Sequence, residues 1–302
     1  MAEAAATLTH GRAGPEGPSR VVILGARGFI AGALARRLAS EGQEVLAVSS
    51  GALDLADPES GRRLAELLRD GDAVVATAAL TPERGRDTAT LIRNLRMAES
   101  IAAAIAARSL GHVIYFSSDS VYGGAASVIS EATPAAPADL YGLMHRAREI
   151  ALKEASDRAK VPFCILRPCA VYGPGDTHNS YGPNRFIREA LKGGRIQVFG
   201  LGEETRDHVF IDDVADLTTR VIRQASAGVL NLASGETVSF GDLARRIAKL
   251  SGGNPAIESL ERRGPVTHRA FDTAALRAAF PSFKPTPLDT GLRTTVAVCR
   301  SS

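Results

Sequence analysis

The sequence predicts an α/β protein built on a doubly wound parallel sheet, with a smaller α/β lobe attached. Residues 20–24, RVVIL, form an apolar run of strand length, and Ile30, Leu34 and Leu38 follow with the spacing of one helix face. Short apolar strands and longer helical patterns then alternate through residues 44–117. Since parallel strands need a crossover between them, this alternation is typical of a sheet covered by helices on both faces.

The composition is that of an ordinary globular protein and limits the classes of partner. The chain has 302 residues, of which 45% are apolar and 23% charged, and its formal net charge is +3. This charge is too small to indicate a nucleic acid or a membrane as partner. No apolar run reaches the roughly 18 residues of a membrane span. Three cysteines without metal-ligand spacing predict a reduced, cytoplasmic protein with no metal site.

Residues 1–19 differ in character from the rest of the chain. They are rich in alanine, glycine and proline, which predicts a disordered tail. Glu3 and the lack of an apolar segment argue against a signal peptide. We therefore expect the folded part of the chain to begin at Arg20.

The turn after the first strand has the spacing G-x-x-G-x-x-A, from Gly25 through Gly28 to Ala31. The first glycine permits a tight turn, the second lets the main chain approach a phosphate, and the alanine lets the helix pack close to the strand. The start of the helix offers free N–H groups and a partial positive charge to an anion. This segment predicts a dinucleotide site with contacts from Gly25, Arg27, Gly28, Phe29 and Ile30.

The end of the second predicted strand, Glu44–Val48, indicates which dinucleotide binds. An acidic residue at this point would accept hydrogen bonds from the ribose hydroxyls of NAD and would repel a 2′-phosphate. The chain has Ser49 and Ser50 there, and Arg27 supplies a cation with which a 2′-phosphate could pair. These residues favour NADP over NAD as the cofactor.

Further cofactor contacts are predicted where later segments end. Asp54, followed by Leu55, has two interpretations: it accepts a hydrogen bond from the adenine amino group, or it caps a helix that begins near Pro58. Ala78 and Ala79 follow the next strand, and their small side chains leave room for a cofactor beside the sheet.

A candidate catalytic group lies in the segments SSDSVYG and YGLMH, residues 117–123 and 141–145. Tyr141 and His145 are four residues apart at the start of a predicted helix, so they share a face. A tyrosine beside a cation can act as a general acid or base. Ser118, at the end of a strand, can hydrogen-bond the substrate oxygen whose proton the tyrosine transfers.

With these segments in this order, the chain resembles the extended short-chain dehydrogenase/reductase family of NAD(P)-dependent nucleotide-sugar epimerases, dehydratases and ketoreductases. The resemblance runs from Arg20 to the C-terminus and rests on GARGFIA, SSDSVYG, YGLMH, LRPCAVYGPG and RDHVFIDDVAD. It implies that Ser118 hydrogen-bonds the reacting oxygen and that Tyr141 is the acid/base. The family's Y-x-x-x-K lysine, which binds the nicotinamide ribose and lowers the tyrosine pKa, is replaced here by His145.

The chain also departs from the family pattern in ways that bear on activity. His145 can still donate to the ribose, but a largely neutral imidazole activates the tyrosine less than a lysine and does so in a pH-dependent way. Asp119 precedes Ser120 instead of the glutamate that dehydratases use, which disfavours dehydration. Asp119 either assists proton transfer or caps the turn. Ala170 stands where family members often have a sugar-binding asparagine.

Two further cofactor residues and a set of substrate residues complete the predicted site. The resemblance places Asn94 and Cys169 with the cofactor. The polar stretch of residues 176–186 is expected to line the substrate pocket, and two later arginines match a family clamp for a diphosphate. The predicted substrate contacts are Ser118, Asn179, Arg185, Val198, Phe199, Arg206 and Arg262.

The resemblance implies a domain organisation and a function. A dinucleotide-binding domain is expected at residues 20–172, with 208–232 returning to it, and an interleaved substrate-binding lobe at 173–302. The expected function is epimerisation or 4-ketoreduction of a nucleotide-activated sugar by hydride transfer, with a non-catalytic NADP-binding sensor or scaffold as the alternative. A homodimer through a four-helix bundle would use the predicted helices at residues 83–108 and 139–158.

Overall fold

The computed structural model describes residues 8–12, 17–124, 126–176, 178–253, 255–262 and 264–301. In chain order its strands are β1 (Thr9–His10), β2 (Arg20–Leu24), β3 (Glu44–Val48), β4 (Ala73–Ala76), β5 (His112–Phe116), β6 (Val128–Ile129), β7 (Phe163–Pro168), β8 (Ala170–Tyr172), β9 (Ile196–Phe199), β10 (Thr205–Phe210), β11 (Ser226–Leu232), β12 (Thr237–Ser239), β13 (Ile257–Leu260) and β14 (Ala270–Phe271). The helices are α1 (Phe29–Ser40), α2 (Ser60–Leu67), α3 (Thr88–Ala107), α4 (Leu140–Ala159), α5 (Pro183–Leu191), α6 (Ile211–Arg223), α7 (Phe240–Ser251), α8 (Ala274–Ala279) and α9 (Leu288–Ser301).

The main sheet has seven strands in the order β1–β11–β7–β5–β4–β2–β3. Neighbouring strands are parallel except at the β1–β11 edge, where they are antiparallel. Side chains of α1 and α6 belong to the apolar cluster on one face of this sheet, and those of α2, α3 and α4 belong to the cluster on the other. The predicted doubly wound α/β fold is therefore confirmed.

Strand β2 shows why its sequence is apolar at successive positions. Val21 and Ile23 point into one cluster, whereas Val22 and Leu24 point into the other. All four side chains are fully buried. A central parallel strand that is covered on both faces needs apolar residues on both, so it lacks the alternation of a half-exposed strand.

Strand β2 is also where the strand order of the sheet reverses. The next strand along the chain, β3, pairs with one edge of β2, and β4 pairs with the other. Such a switch point leaves a crevice outside the carboxyl ends of the two strands. The glycine turn that follows β2 lies at this crevice.

The N-terminal segment corrects one prediction. Residues 8–12 belong to the predicted disordered tail, yet Thr9 and His10 pair with Ala227 and Ser226 of β11. Leu8 is buried, and the His10 ring is 2.8 Å from the Ser226 hydroxyl. The open edge of β11 supplies hydrogen-bond partners that this polar segment cannot find locally. Residues 1–7 and 13–16 of the predicted tail lie outside the described residues.

The remaining strands form smaller sheets beside the crevice. Strands β12, β10 and β8 make one, β13 and β9 a second, and β14 and β6 a third. A separate apolar cluster joins α5, α7 and α9 to these strands. Its side chains therefore form a further apolar core, which also includes residues of α1 and α6. Among the described helices, none is both long and apolar enough to cross a lipid bilayer.

Candidate active site

The glycine turn after β2 is held by main-chain hydrogen bonds. The N–H groups of Gly25 and Ala26 both donate to the Val48 carbonyl, at 2.9 and 3.0 Å. Gly25 has φ of +98°, and a Cβ there would lie 2.8 Å from both the Thr77 hydroxyl and the Ala78 nitrogen. Only glycine satisfies both the backbone conformation and this close approach of the loop after β4.

Helix α1 begins directly after the turn and directs its N-terminus at the crevice. Gly28 is its N-cap, and no side chain caps the helix. The first turn carries no acidic residue that would neutralise it. The partial positive charge of the helix is therefore available to an anionic group of a ligand.

A cavity of about 1150 Å³ occupies the crevice and continues towards the smaller lobe. Its volume is ample for a dinucleotide together with part of a second ligand. The predicted residues that line it are Gly25, Arg27, Gly28, Phe29, Ile30, Ser49, Ser50, Asp54, Leu55, Ala78, Ala79, Ser118, Tyr141, His145, Cys169 and Asn179. One cavity thus brings together the predicted cofactor residues other than Asn94 and three of the predicted catalytic residues, Ser118, Tyr141 and His145.

Arg27 and Ser49 meet at one end of this cavity. A Cβ placed on Gly51 would be 3.6 Å from the Arg27 guanidinium and 3.8 Å from the Ser49 hydroxyl. Arg27 is exposed and has neither a hydrogen bond nor an ion pair within the described ranges. An uncompensated cation beside a hydroxyl is suited to a phosphate.

Asp54 does not cap the following helix. Its carboxylate accepts from the Ala56 N–H at 3.0 Å and pairs with Arg93 at 3.1 Å. The N-cap of α2 is Glu59, five residues further along the chain. The capping interpretation is therefore wrong, whereas the side chain does line the cavity.

Tyr141 stands in the first turn of α4, facing the cavity. Asp139 caps this helix by accepting from the Gly142 N–H at 2.8 Å, which sets the position of the turn. Burial and, to a smaller extent, the charges of Asp119 and Glu83 raise the pKa of Tyr141 to about 12, against the opposing effects of the Arg148 charge and the Ser118 hydroxyl. When a ligand excludes water here, a nearby positive charge is needed to stabilise the Tyr141 phenolate.

His145 lies one helical turn beyond Tyr141 and is almost completely buried. Its Nδ1 is 2.7 Å from the Tyr115 hydroxyl, and its ring meets that of Tyr141 edge-on with 4.7 Å between centroids. Burial, assisted by the Arg148 charge, lowers the pKa of His145 to about 3. The ring is therefore neutral, and its Nε2 is buried without a partner in the described part of the chain.

The sequence profile of the NAD dependent epimerase/dehydratase family matches residues 21–233. The chain belongs to this family. The matched range covers the main sheet from β2 to the end of β11 and includes the glycine turn, Ser118 and Tyr141. The resemblance inferred from the sequence motifs is thereby confirmed.

The chain is similar in sequence to a curated epimerase and similar in fold to several solved structures. UDP-glucose 4-epimerase from Mycolicibacterium smegmatis is 32% identical over 260 residues, covering 77% of this chain and 83% of that protein. UDP-glucose 4-epimerase from Thermus thermophilus, solved with NAD, has a TM-score of 0.81 at 21% identity, covering 94% and 99% of the two chains. MoeE5, solved with UDP-glucuronic acid and NAD, has a TM-score of 0.79 at 26% identity, covering 93% and 99%.

Asn94 does not line the cavity of this epimerase/dehydratase-family protein. It is buried, and its amide exchanges hydrogen bonds with the main chain of Leu80, at 2.8 and 3.1 Å. The Leu80 loop follows β4 and does line the cavity. Asn94 therefore holds a cavity wall in place instead of facing a ligand, which corrects its assignment as a cofactor contact.

Asp119 is engaged by an arginine that the sequence reasoning missed. Its carboxylate pairs with Arg269 at 3.0 Å, and it does not line the cavity. The cap of the 3₁₀ turn Asp119–Tyr122 is Ser118, which accepts from the Ser120 N–H. The capping interpretation of Asp119 is therefore wrong. No local pattern links Arg269 to it, since 150 residues separate the two.

Most of the predicted substrate residues of the smaller lobe lie outside the described cavity. Arg262 pairs with Glu203 and Glu204, at 2.6 and 3.4 Å, so its charge is already compensated. Arg185 similarly pairs with Glu189 at 2.8 Å. The two glutamates compensate the charge of Arg262, which corrects the prediction of a phosphate contact for that residue. Arg185 is paired through its Nε atom only, and it lies outside the cavity lining. Val198 is buried in the apolar cluster of the lobe.

Two other predicted substrate residues, Phe199 and Arg206, form hydrogen bonds to neighbouring groups. The Phe199 N–H donates to the hydroxyl of Tyr181, a residue that does line the cavity. Arg206 donates to the Thr267 carbonyl and hydroxyl at 2.8 and 2.6 Å, and it forms no ion pair within the described ranges. Its charge is thus held in place but not neutralised.

Cys169 lies at the cavity and carries an unreactive thiol. It is buried, and its thiol donates weakly to Asp207 at 3.5 Å. Burial raises the pKa of this thiol well above its ordinary value, so it is not a nucleophile. The residues that the structure describes hold no group of three or more His, Cys, Asp or Glu side chains arranged for a metal ion.

A second missed residue is Arg148, three positions after His145. Its side chain is completely buried, and a guanidinium donates to the Ala78 carbonyl at 2.9 Å beneath the cavity wall. The spacing from His145 places both residues on one helix face, which is a signal in the sequence. This spacing by itself does not predict a buried arginine, since an arginine on a helix is usually exposed.

Proposed function

We propose that the protein is an NAD(P)-dependent epimerase that acts on a nucleotide-activated sugar by hydride transfer, with Tyr141 as acid/base. The observation that carries this proposal is the continuous cavity that runs from the glycine turn to Tyr141 and Ser118. The relatives named above include two UDP-glucose 4-epimerases. They favour epimerisation over net 4-ketoreduction, which the same hydride chemistry would also allow.

The residues at the cavity fit a dinucleotide. The N-terminus of α1 and the Gly25–Gly28 turn suit its pyrophosphate, and the small Ala78 and Ala79 leave room beside the sheet. The Nε2 atom of His145 is a buried polar atom without a partner in the described chain, and a nicotinamide ribose hydroxyl would satisfy it. When bound, the nicotinamide supplies the site that accepts and returns hydride.

The chain's own residues would then handle the proton. Tyr141, as the phenolate, accepts the proton of a sugar hydroxyl while hydride leaves the same carbon. The Ser118 hydroxyl orients that oxygen. Return of hydride to the opposite face of the ketosugar, with the proton returned from Tyr141, gives the epimer. Asp119, paired with Arg269, would act only through its charge.

We propose further that NADP binds in preference to NAD. The support is the unpaired Arg27 guanidinium beside Ser49, where no carboxylate would repel a 2′-phosphate. Ser50, Asp54 and Leu55 complete the adenosine end. The ratio of the two dissociation constants measures this preference, and tighter binding of NAD contradicts it.

We propose that the substrate lobe, residues 173–302, holds the nucleotide of the sugar while residues 20–172 and 208–232 hold the cofactor. Arg206 is the cation we assign to the diphosphate, because it forms no ion pair within the described ranges. Asn179 lies on the cavity wall, and Phe199 contacts the wall residue Tyr181. Arg262 and Arg185 are not assigned to the phosphates, since glutamates already bind them.

We propose a homodimer through α3 and α4, which pack side by side. Apolar side chains remain exposed on both helices, with 46% of Ile92, 45% of Leu143 and 56% of Ile150 accessible. A second copy of the two helices would cover them in a four-helix bundle. A monomeric mass in sedimentation equilibrium contradicts this arrangement.

Replacing Tyr141 with phenylalanine tests the acid/base assignment. Because the proton of the sugar hydroxyl then has no acceptor, we expect the interconversion of UDP-glucose and UDP-galactose to slow by about 10²–10⁴-fold. The dissociation constant of the dinucleotide should stay near that of the wild type, since the aromatic ring remains. Both are measurable on the purified protein, by a coupled assay and by nicotinamide fluorescence.

The matched control is Tyr122→Phe, which removes a hydroxyl from a buried tyrosine outside the cavity. Its turnover should remain far above that of Tyr141→Phe. Wild-type turnover in Tyr141→Phe contradicts the role of Tyr141. A wild-type protein that binds the dinucleotide but converts no nucleotide sugar supports the non-catalytic alternative instead.

A further inference from the structure

The buried charge of Arg148, beneath the cavity wall, has no role in the chemistry proposed above. Arg148 is fully buried, and it donates to the Ala78 carbonyl at 2.9 Å and more distantly to the Asn94 side-chain oxygen at 3.5 Å. It forms no ion pair within the described ranges. A buried guanidinium without a carboxylate keeps its full positive charge in a region of low polarity.

A second buried arginine, Arg167, differs from Arg148 because a carboxylate compensates its charge. Arg167 donates to both oxygens of Glu149, at 2.8 and 2.7 Å. Glu149 also accepts from the Ser117 hydroxyl at 2.6 Å and from Arg146 at 3.1 Å. The buried Glu149 carboxylate is therefore directed at Arg167, although Glu149 is adjacent in sequence to Arg148.

Contacts between aromatic rings connect the Arg148 guanidinium to the proposed catalytic residues. Its guanidinium carbon lies 5.1 Å from the centre of the Tyr115 ring. The Tyr115 hydroxyl is 2.7 Å from His145 Nδ1, and the His145 ring contacts Tyr141 edge-on. The order Arg148, Tyr115, His145, Tyr141 thus leads from a buried cation to the cavity wall.

The Arg148 charge lowers the pKa of both of the last two members of this series. It disfavours the protonated form of His145 and favours the anion of Tyr141. The other groups that act on Tyr141 are Asp119 and Glu83, which disfavour its anion, and the Ser118 hydroxyl, which favours it. A neutral His145 contributes no positive charge, so Arg148 is the cation that acts on the tyrosine.

We propose that Arg148 is a positioning residue of the reaction: its buried charge stabilises the Tyr141 phenolate and keeps His145 a neutral hydrogen-bonding group for the cofactor ribose. This inference rests on the proposed function. In this arrangement His145 contacts the cofactor ribose, and Arg148 supplies the positive charge that stabilises the phenolate. When the Tyr115 hydroxyl donates to Nδ1, the ring proton of the neutral histidine lies on Nε2 and is available to the ribose.

The test uses Arg148→Met in the full-length protein. Removing the cation raises the pKa of Tyr141, so the rising limb of kcat against pH should move to higher pH by about one unit or more. At a pH below both half-points, kcat should fall by about tenfold for each unit of this shift. An Arg148→Met protein whose rising limb coincides with that of the wild type overturns the proposal.

A second readout does not depend on turnover. The tyrosinate absorbance of Tyr141 is obtained as the difference between each protein and its Tyr141→Phe partner, with NADP⁺ bound. Its half-point should be at higher pH in Arg148→Met than in the wild type. If the wild type converts no nucleotide sugar, the proposed function fails, whereas this titration still decides the electrostatic role of Arg148.

Two further variants separate charge from structure. Arg148→Lys retains a cation and should keep the half-point near that of the wild type, although it loses the second donor. His145→Lys combined with Arg148→Met restores a cation beside Tyr141, and it should move the half-point back towards that of the wild type. A half-point in Arg148→Lys displaced as far as in Arg148→Met overturns the proposal, as does a lack of rescue by the added lysine.

Arg146→Met is the matched control for loss of an arginine from α4. Arg146 is partly exposed and forms an ion pair with Glu149 at 3.1 Å. Its removal should leave both half-points unchanged. A shift equal to that of Arg148→Met would mean that any arginine of this helix has the effect, and the assignment to Arg148 would be wrong.

Discussion

The two halves of the proposed site are built differently. The cofactor half is the end of the cavity made of main chain and small side chains: Gly25 fits between two loops, and α1 presents an uncapped N-terminus. The sugar half is the group of predicted substrate residues in the smaller lobe, which are mostly long side chains outside the cavity lining. There Arg262 is bound by Glu203, and Arg206 by Thr267.

This difference affects how each half can be changed. A site made of main chain has few alternative conformations, so a single added methyl group disturbs it. A site made of long polar side chains can exchange one partner for another, and its charges are partly satisfied before any ligand arrives. We therefore expect substitutions in the glycine turn to have larger effects than substitutions of side chains at the cavity rim.

The largest effect is expected for Gly25→Ala. An alanine at φ of +98° is strained, and its Cβ would lie 2.8 Å from the Ala78 nitrogen, so the loops must separate. We expect the dissociation constant of the dinucleotide to rise by about 100-fold, or roughly 2.7 kcal/mol, because the displaced loops no longer hold the turn against the pyrophosphate. Nicotinamide fluorescence measures the constant directly.

Gly42→Ala is the control for strain without contact. Gly42 has φ of +76°, and open space surrounds the position where its Cβ would lie. It follows α1 at the end remote from the cavity. We expect a modest loss of thermal stability and an unchanged dissociation constant. Equal weakening of dinucleotide binding in both variants would contradict the importance of the close approach at Gly25.

A smaller effect is expected for Ser49→Asp, a side-chain change in the same half. The new carboxylate would repel a 2′-phosphate, attract Arg27 and accept from ribose hydroxyls. We expect the preference for NADP over NAD to fall by about tenfold, which corresponds to roughly 1.4 kcal/mol. The ratio of the two dissociation constants, measured at one ionic strength, gives the result.

Arg27→Ala should lower the same ratio, because it removes the proposed phosphate partner. Arg36→Ala removes an exposed arginine of α1 that does not line the cavity, and it should leave the ratio unchanged. An unaltered ratio in both Ser49→Asp and Arg27→Ala would show that this end of the cavity does not select the cofactor.

Much of the cofactor half was predictable because its signals are local. The G-x-x-G-x-x-A spacing, the residues that end β3 and β4, and the four-residue separation of Tyr141 and His145 all act over a few positions. Asn94 was the exception. Its position on α3 was recognisable, but whether its amide faces a ligand or the Leu80 main chain depends on how the helix packs.

The sugar half was poorly predictable for a related reason. Whether an arginine is free or neutralised depends on partners that approach from elsewhere in the chain. Arg269 reaches Asp119 across 150 residues, and no spacing in the sequence records that meeting. The same holds for the β1–β11 pairing, where an open strand edge orders residues of low intrinsic preference.

By itself the sequence determined the α/β fold, the dinucleotide turn and the family. These follow from periodicity and from residue types at fixed separations, because strands, helices and tight turns are local structures. Only the tertiary structure decided where the charges act. It buried Arg148 without a carboxylate while it gave Glu149 to Arg167, although Arg148 and Glu149 are adjacent in the chain. Side-chain direction on a packed helix, and not sequence distance, determines which charges meet.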